Sequence, residues 1–248
     1  MKALILAAGY ATRLRPLTDS IPKQLLPVGG RPIVDWILDR IEETSADEVH
    51  LVTNARFAAD FARWAEGKDV QIHNDGTTSN EDRLGAIGDI RFVGLDDDLL
   101  VVAGDNLFDY SLAEYERYWR ECDGSCIAVL DVKDPELAKK YGIVDVDEND
   151  RVTNFIEKPE NPPTTLCATA TYLYERDHVR LIEQYLEEGN PPDQPGNYVA
   201  WLHKREPVYA YRFEGQWFDI GDANQLLEAD NRMRRERRLP ERAEYSPS

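Results

Sequence analysis

The first twenty-eight residues, Met1–Val28, read MKALILAAGYATRLRPLTDSIPKQLLPV. Ala3–Ala7 is a short apolar run of the kind that forms a buried strand. It ends in Ala8-Gly9-Tyr10-Ala11, where small residues let backbone amides approach a ligand closely. Three cations follow, Arg13, Arg15 and Lys23, in a chain that is otherwise heavily acidic. Positive charge is thus concentrated where the turn already offers N–H donors, which predicts a polyanion site.

The rest of the composition narrows the function classes. The 248 residues carry 47 acidic side chains against 29 Lys and Arg, a formal net charge of −18. That is the wrong sign for a general nucleic-acid binder, which needs a basic face to displace counterions from phosphates. Only 8 of the 29 cations are Lys and 21 are Arg, a balance that reads as adaptation to a high-salt cytoplasm, or simply as an acidic protein kept dispersed by self-repulsion. Cys122, Cys126 and Cys167 lack the spacing of a zinc site or a disulfide framework. No eighteen apolar residues occur together, and the opening apolar run is too short for a signal peptide. A soluble, cytoplasmic protein without membrane partners is the expectation.

Working outward, Ile33, Val34, Ile37, Leu38 and Ile41 fall on one helical face, with Pro32 suited to a first helical position. A strand at Val49–Thr53, a helix at Ala55–Ala65 and a strand at Val70–His73 follow. This β-α-β-α-β order implies parallel strands with right-handed crossovers. The polar stretch from Asn74 to Gly88 has nothing apolar in its first half and reads as a surface loop at a strand end. In an open α/β sheet ligands bind beyond the carboxyl ends of strands, so this loop is the candidate wall for a nucleotide base.

Leu99–Ala103 is another buried-type strand, and Asp105 follows it beside Gly104. A carboxylate there suits a metal ion at the sheet edge; it equally suits a turn or a helix cap. After a helix at Leu112–Glu121 and a strand at Ser125–Leu130 the alternation weakens. Gly142–Val146 and Arg151–Ile156 read as a hairpin, and Glu157-Lys158-Pro159 ends it, since X-Pro commonly marks strand ends. A strand at Ala168–Tyr174 and a helix at Val179–Glu188 precede Gly189–Gly196, whose Pro and Gly content predicts a loop. Val208–Phe213 returns as a strand. The last helix, about Ala223 to Arg238, is capped by Asp222 and carries five arginines near its end, which suit the helix dipole or a docking patch for an acidic neighbour. No internal repeat is visible.

Six motifs in series resemble the sugar-1-phosphate nucleotidyltransferases, in particular the short glucose-1-phosphate thymidylyltransferases: LAAGYATRLRPLT (Leu6 to Thr18), PKQLLPV (Pro22 to Val28), GDNLF (Gly104 to Phe108), YGIV (Tyr141 to Val144), EKP (Glu157 to Pro159) and WFDIG (Trp217 to Gly221). The resemblance implies a Rossmann-like α/β three-layer sandwich with a mostly parallel mixed central sheet and a substrate-side β-rich insertion. It implies one domain over residues 1–240, with a nucleotide-binding half to about 130, a sugar-phosphate half from 131 to 222 and a C-terminal helix over 223–240, then a loose tail at 241–248. The implied reaction is transfer of a nucleotidyl group from a nucleoside triphosphate to a sugar 1-phosphate, with release of pyrophosphate.

By the same resemblance Ala8, Gly9, Ala11, Thr12, Arg13, Lys23, Asn74 and Gly85 bind the nucleotide, and Arg13, Lys23 and Asp105 are catalytic. Asp105 and Asp219 hold Mg2+, a hard cation that one or two carboxylates plus substrate phosphates commonly bind. Gly142, Glu157, Lys158, Thr169 and Trp217 form the sugar-phosphate side, although Trp217 is as readily a rim aromatic. Ala11 stands where most members have a second glycine, and Thr169-Ala170 where they have Thr-Gly. Asn74 and a longer loop replace the glutamine that precedes the Gly-Leu-Ala of thymidylyltransferases.

The first substrate pair is therefore dTTP with glucose 1-phosphate. UTP, CTP or GTP, and acceptors such as mannose 1-phosphate or phosphocholine, remain alternatives. So does a catalytically silent nucleotide-sugar-sensing subunit, which would be free to lose Arg13, Lys23, Asp105, Lys158 and Asp219, all present here. Family members commonly assemble, so a homo-oligomer is open. With no left-handed β-helix extension in the sequence, an acetyltransferase half is not expected.

Overall fold

The computed structural model describes residues 1–247. In chain order its elements are β1 (Lys2–Leu6), β2 (Pro27–Val28), β3 (Arg31–Pro32), α1 (Ile33–Ile41), β4 (Glu48–Thr53), α2 (Ala58–Trp64), β5 (Gln71–Asn74), α3 (Ala86–Val93), β6 (Leu99–Ala103), β7 (Asn106–Phe108) and α4 (Leu112–Glu121). There follow β8 (Ser125–Asp131), α5 (Pro135–Ala138), β9 (Gly142–Val146), β10 (Val152–Glu157), β11 (Leu166–Tyr174), α6 (Arg176–Glu187), α7 (Pro195–Leu202), β12 (Val208–Arg212), β13 (Trp217–Asp219) and α8 (Ala223–Glu236).

Nine strands form the central sheet in the order β10-β9-β11-β6-β1-β4-β5, with β8 paired to β11 and β12 to β8. The first half is wholly parallel: β1 lies between β4 and β6, and β5 pairs with β4. The antiparallel β11 joins this half to the β9–β10 hairpin and to β8. Side chains alternate across the sheet, so Ala3 and Ile5 pack with α1, α2, α4 and α8, while Leu4 packs on the other face with α3, α6 and α7. This is the expected α/β three-layer sandwich with a mixed central sheet.

Several local features differ from the sequence reading. Pro32 pairs in a short ribbon and α1 starts one residue later, because a proline's fixed φ and missing N–H fit the strand edge as well as a helix start. The Pro/Gly-rich loop ends earlier than predicted: α7 begins at Pro195 and contains Gly196. Proline at a first helical turn loses no hydrogen bond, so the same residue that suggested a loop opens a helix.

The loop after β5 is anchored by polar groups instead of apolar ones. Asp75 N donates to Thr53 O, Ala55 N to Thr77 O, and the Thr77 hydroxyl lies 3.1 Å from Tyr10 Oη. Four of the five arginines at the end of α8, Arg232, Arg234, Arg235 and Arg237, have partners within the chain. Arg237 Nη1 donates to Gly29 O at 2.6 Å, Arg232 pairs with Glu236 and Arg235 with Glu241. The segment expected to be loose is tied down over residues 241–247; Asn231 exchanges two hydrogen bonds with the Arg242 backbone, and Tyr245 Oη donates to Pro27 O at 2.9 Å. Ser248 lies outside the described residues. No helix among them is long and apolar enough to cross a membrane.

Candidate active site

The loop after β1 places its polar ends at the carboxyl edge of the sheet, where a cavity of about 780 Å³ opens. Gly104 explains how β6 delivers Asp105 there. Its N–H donates to Leu6 O at 2.9 Å, and a Cβ at this position would stand 2.7 Å from the same oxygen. Only glycine lets the two chain segments come that close.

Two short strands absent from the sequence reading complete the centre. β7 and β13 pair antiparallel with Asn106 opposite Asp219, and Ile220 N donates to Asp105 O. Two carboxylates 114 residues apart in sequence are thereby set on one ribbon. Lys23 joins them: its Nζ donates to Asp105 Oδ2 at 2.5 Å and to Ile220 O at 2.9 Å, and the residue is only 8% exposed. Burial and the nearby Asp105 charge push the Asp219 carboxyl up to about 6, against the lowering pull of Lys23, Arg13 and Lys158. Arg13 lies against Gly221 on the cavity wall and has no ion-pair partner among the described residues.

On the cavity wall formed by β10, Glu157 closes the strand and Lys158 follows it with its Nζ 3.8 Å from the Glu157 carboxylate. Burial raises the Glu157 pKa while Lys158 opposes the shift. The Gln194 amide, in the orientation that satisfies both neighbours, donates to Glu157 Oε1 at 3.0 Å and accepts from Lys158 Nζ at 3.2 Å. Trp217 packs edge-on to Tyr141 with ring centroids 4.6 Å apart, and its buried indole N–H has no partner.

Three non-glycine residues on this cavity wall, Ala11, Lys158 and Ala170, have φ of 45°, 46° and 52°. Left-handed backbone is disfavoured for residues bearing a Cβ, and it gathers where surrounding structure fixes a functional geometry. It also gives a physical reason for the family glycines at the positions of Ala11 and Ala170.

Of the residues singled out from sequence, Ala8, Gly9, Ala11, Arg13, Lys23, Gly85, Asp105, Gly142, Glu157, Lys158, Trp217 and Asp219 all border the one cavity. Thr12, Asn74 and Thr169 do not. Thr12 faces solvent in a single 3-10 turn. Asn74 Oδ1 accepts from Gly76 N within its own loop. Thr169 is fully buried with its hydroxyl donating to Ala128 O, and its contribution is its carbonyl, which accepts from Asn106 Nδ2. Arg15 pairs with Asp19. Gly142 and Glu157 are register partners, and the space a Gly142 Cβ would fill belongs to the Phe155 ring.

Sequence reasoning missed Gln24, Arg83, Asp89 and Gln194, which border the cavity. Gln24 follows Lys23 in PKQLLPV and is nearly fully buried with its carbonyl oxygen unpartnered; its place in that motif was the available signal. The other three carry none until folding brings their segments together.

The nucleotidyl transferase family model matches residues 2–236. The chain belongs to the nucleotidyl transferase family. It is 29% identical over 230 residues to the bifunctional protein GlmU of Methanocaldococcus jannaschii, covering 93% of this chain and 53% of that protein. It is also 29% identical over 242 residues to a UTP–glucose-1-phosphate uridylyltransferase of Synechocystis sp., covering 89% and 60%. The chain thus spans between half and two thirds of the length of these two nucleotidyl transferase relatives. Among solved structures, a protein from Bacillus anthracis described as a glucose-1-phosphate thymidylyltransferase shares the fold, with a TM-score of 0.80, 23% identity and coverage of 94% and 95%.

Proposed function

We propose that this nucleotidyl transferase moves a nucleotidyl group from a nucleoside triphosphate to a sugar 1-phosphate, with dTTP and glucose 1-phosphate as the first pair. The observation that carries the reading is the shared cavity, which Arg13, Lys23, Asp105 and Asp219 line together with Lys158, a cation from a separate segment whose charge acts on Asp219. Such an arrangement suits two polyanions brought together.

The acceptor's phosphate oxygen forms a new P–O bond at the α-phosphorus while the α–β bridging P–O bond breaks, and pyrophosphate departs with that electron pair. The nucleophile is already an anion, so no protein base is required. The residues supply alignment and cancellation of charge. Lys23 and Arg13 take the triphosphate, Lys158 the acceptor phosphate, and Glu157 accepts from acceptor hydroxyls.

The donor set fits magnesium. Asp105 and Asp219 offer only oxygen, and burial together with the nearby Asp105 charge raises the Asp219 pKa. Two carboxylates leave positions for water and phosphate oxygens, as Mg2+ prefers. When bound there, the cation supplies charge neutralisation at the phosphates.

The Synechocystis relative favours a second reading with UTP as donor. Asn74 is engaged by its own loop, so the glutamine-type base contact of thymidylyltransferases has no counterpart at that position. An acidic surface with few lysines supports work in a saline cytoplasm.

The test is pyrophosphate release over a matrix of five nucleoside triphosphates and several sugar phosphates, with phosphocholine included, before and after chelation. A pyrimidine nucleotide with glucose 1-phosphate, dependent on Mg2+, is expected. Strict preference for phosphocholine would overturn the acceptor, and nucleotide-sugar binding without turnover would identify a silent sensor.

A further inference from the structure

Asp193 and Gln194 line the cavity, with Pro192 just before them, although no cavity-lining role follows from their sequence. On the nucleotide side they cap α3. The first two amides of that helix, Ala86 N and Ile87 N, donate to Asp193 O at 3.1 Å and Pro192 O at 2.9 Å. The fit leaves no room for a side chain, since a Cβ on Gly85 would lie 2.6 Å from Asp193 Cα. Arg83 then grips the Asp193 carboxylate with two parallel hydrogen bonds of 2.9 and 2.8 Å, and this pairing holds the Asp193 pKa below the ordinary Asp range. Bidentate geometry of this kind fixes orientation as well as distance.

The next residue reaches the Glu157–Lys158 pair. Gln194 bridges Glu157 and Lys158 through both ends of its amide. Lys158 needs such a tie: its side chain is 49% exposed, its backbone is left-handed, and its other contact is a 3.8 Å approach to Glu157. A lysine side chain left free carries large rotamer entropy. The Arg83–Asp193 pair is itself 39% and 45% exposed, so its worth lies in geometry more than in stability.

We infer that Pro192–Gln194 is a positioning strap: Gln194 aims Lys158 and Glu157 at the acceptor, and the Arg83–Asp193 clasp fixes where Gln194 stands relative to the nucleotide wall. Gln194 and Arg83 are therefore positioning residues that join the two substrate sites. The inference rests on the reading of Lys158 as the acceptor-phosphate group.

The experiment uses the full chain in two measurements. In steady-state kinetics, Gln194→Ala raises the acceptor KM about 5- to 10-fold, the effect of losing one ordinary hydrogen bond at a half-exposed lysine, and leaves the nucleotide KM within about twofold. Gln194→Met, which keeps length and removes both bonds, does not restore it. Arg83→Ala moves the acceptor KM in the same direction despite its place on the nucleotide side, and the double variant is no worse than about twofold beyond Gln194→Ala, because coupled residues are not additive. Both KM values unmoved in Gln194→Ala, or effects of the two substitutions that multiply, would overturn the strap. A rise confined to the nucleotide KM in Gln194→Ala would instead overturn the assignment of Lys158.

The second measurement needs no turnover. Hydrogen exchange of the ligand-free chain should show faster exchange at the Lys158 amide, bonded to Tyr141 O, in both Arg83→Ala and Gln194→Ala. Exchange in Arg83→Ala that changes only near residues 80–86 contradicts the strap whatever the reaction proves to be.

Discussion

Asp89→Asn is expected to stabilise this protein strongly, and the size of the effect follows from one buried contact. Asp89 on α3 is 6% exposed, its Oδ1 has no hydrogen-bond partner, and it faces Asp75, whose Oδ2 is also buried and unpartnered. The other Asp75 oxygen accepts from the Thr77 amide and hydroxyl. Burial first, and then the Asp75 charge, push the Asp89 carboxyl from 3.8 up to about 8. The native chain therefore holds one more proton than the unfolded chain between those two values, and stability falls as pH rises through that window.

At about 1.36 kcal/mol per pH unit, the span from 3.8 to pH 7 costs the wild type about 4 kcal/mol, and to pH 5 about 2 kcal/mol. Asparagine has no charge to suppress and offers Asp75 a permanent N–H donor. Urea denaturation at fixed ionic strength should show Asp89→Asn more stable by up to about 4 kcal/mol at pH 7, or about 8–16 °C in Tm for a chain of this size. The advantage should shrink to about half by pH 5. A difference that does not change between pH 5 and 7, or a wild type that is the more stable at pH 7, would refute the reasoning.

Other outcomes follow from the same geometry. Lys23→Ala should lower kcat by about 10²–10³ and, because it strands the Ile220 carbonyl and the Asp105 carboxylate, also lower stability by about 1–3 kcal/mol; near-normal turnover in pyrophosphate release would remove Lys23 from the site. Asp105→Asn should abolish turnover with a smaller stability change, its side chain being 27% exposed; residual turnover above about a tenth of wild type would contradict its role. Ala11→Gly and Ala170→Gly relieve left-handed strain of about 1 kcal/mol against a comparable gain in conformational entropy of the unfolded chain. Each should therefore lie between neutral and about 1 kcal/mol stabilising in denaturant titrations, and a destabilisation above about 1 kcal/mol would show that the methyl packs usefully. Lys158→Ala should raise the acceptor KM more than the nucleotide KM, and the reverse would mean that the two phosphate sites are exchanged.

The parallel half of the sheet was legible because Ala3–Ala7 and Leu99–Ala103 are uninterrupted apolar runs that no amphipathic surface element would carry. The β9–β10 hairpin was legible from its acidic turn between two strand-like runs. The contacts of the C-terminal tail were not, because Arg242 and Tyr245 are ordinary surface residues until folding brings Asn231 of α8 and Pro27 of β2 within reach. Asn74 was misplaced for a related reason: its neighbourhood in sequence indicates a loop, but the direction of its side chain is set by the turn at Gly76.

By itself the sequence determined the character of Met1–Val28: small residues that leave backbone amides open in the turn after the first strand, and Arg13 and Lys23 as cations in an acidic chain. Local composition suffices for that, because charge and backbone freedom are properties of single residues. The fold alone decided that Lys23 pairs with Asp105, that Asp219 lies on the ribbon partner of β7, and that Gln194 spans Glu157 and Lys158. Those contacts join residues tens to hundreds of positions apart, so strand pairing and loop packing, which no short window of sequence encodes, had to place them.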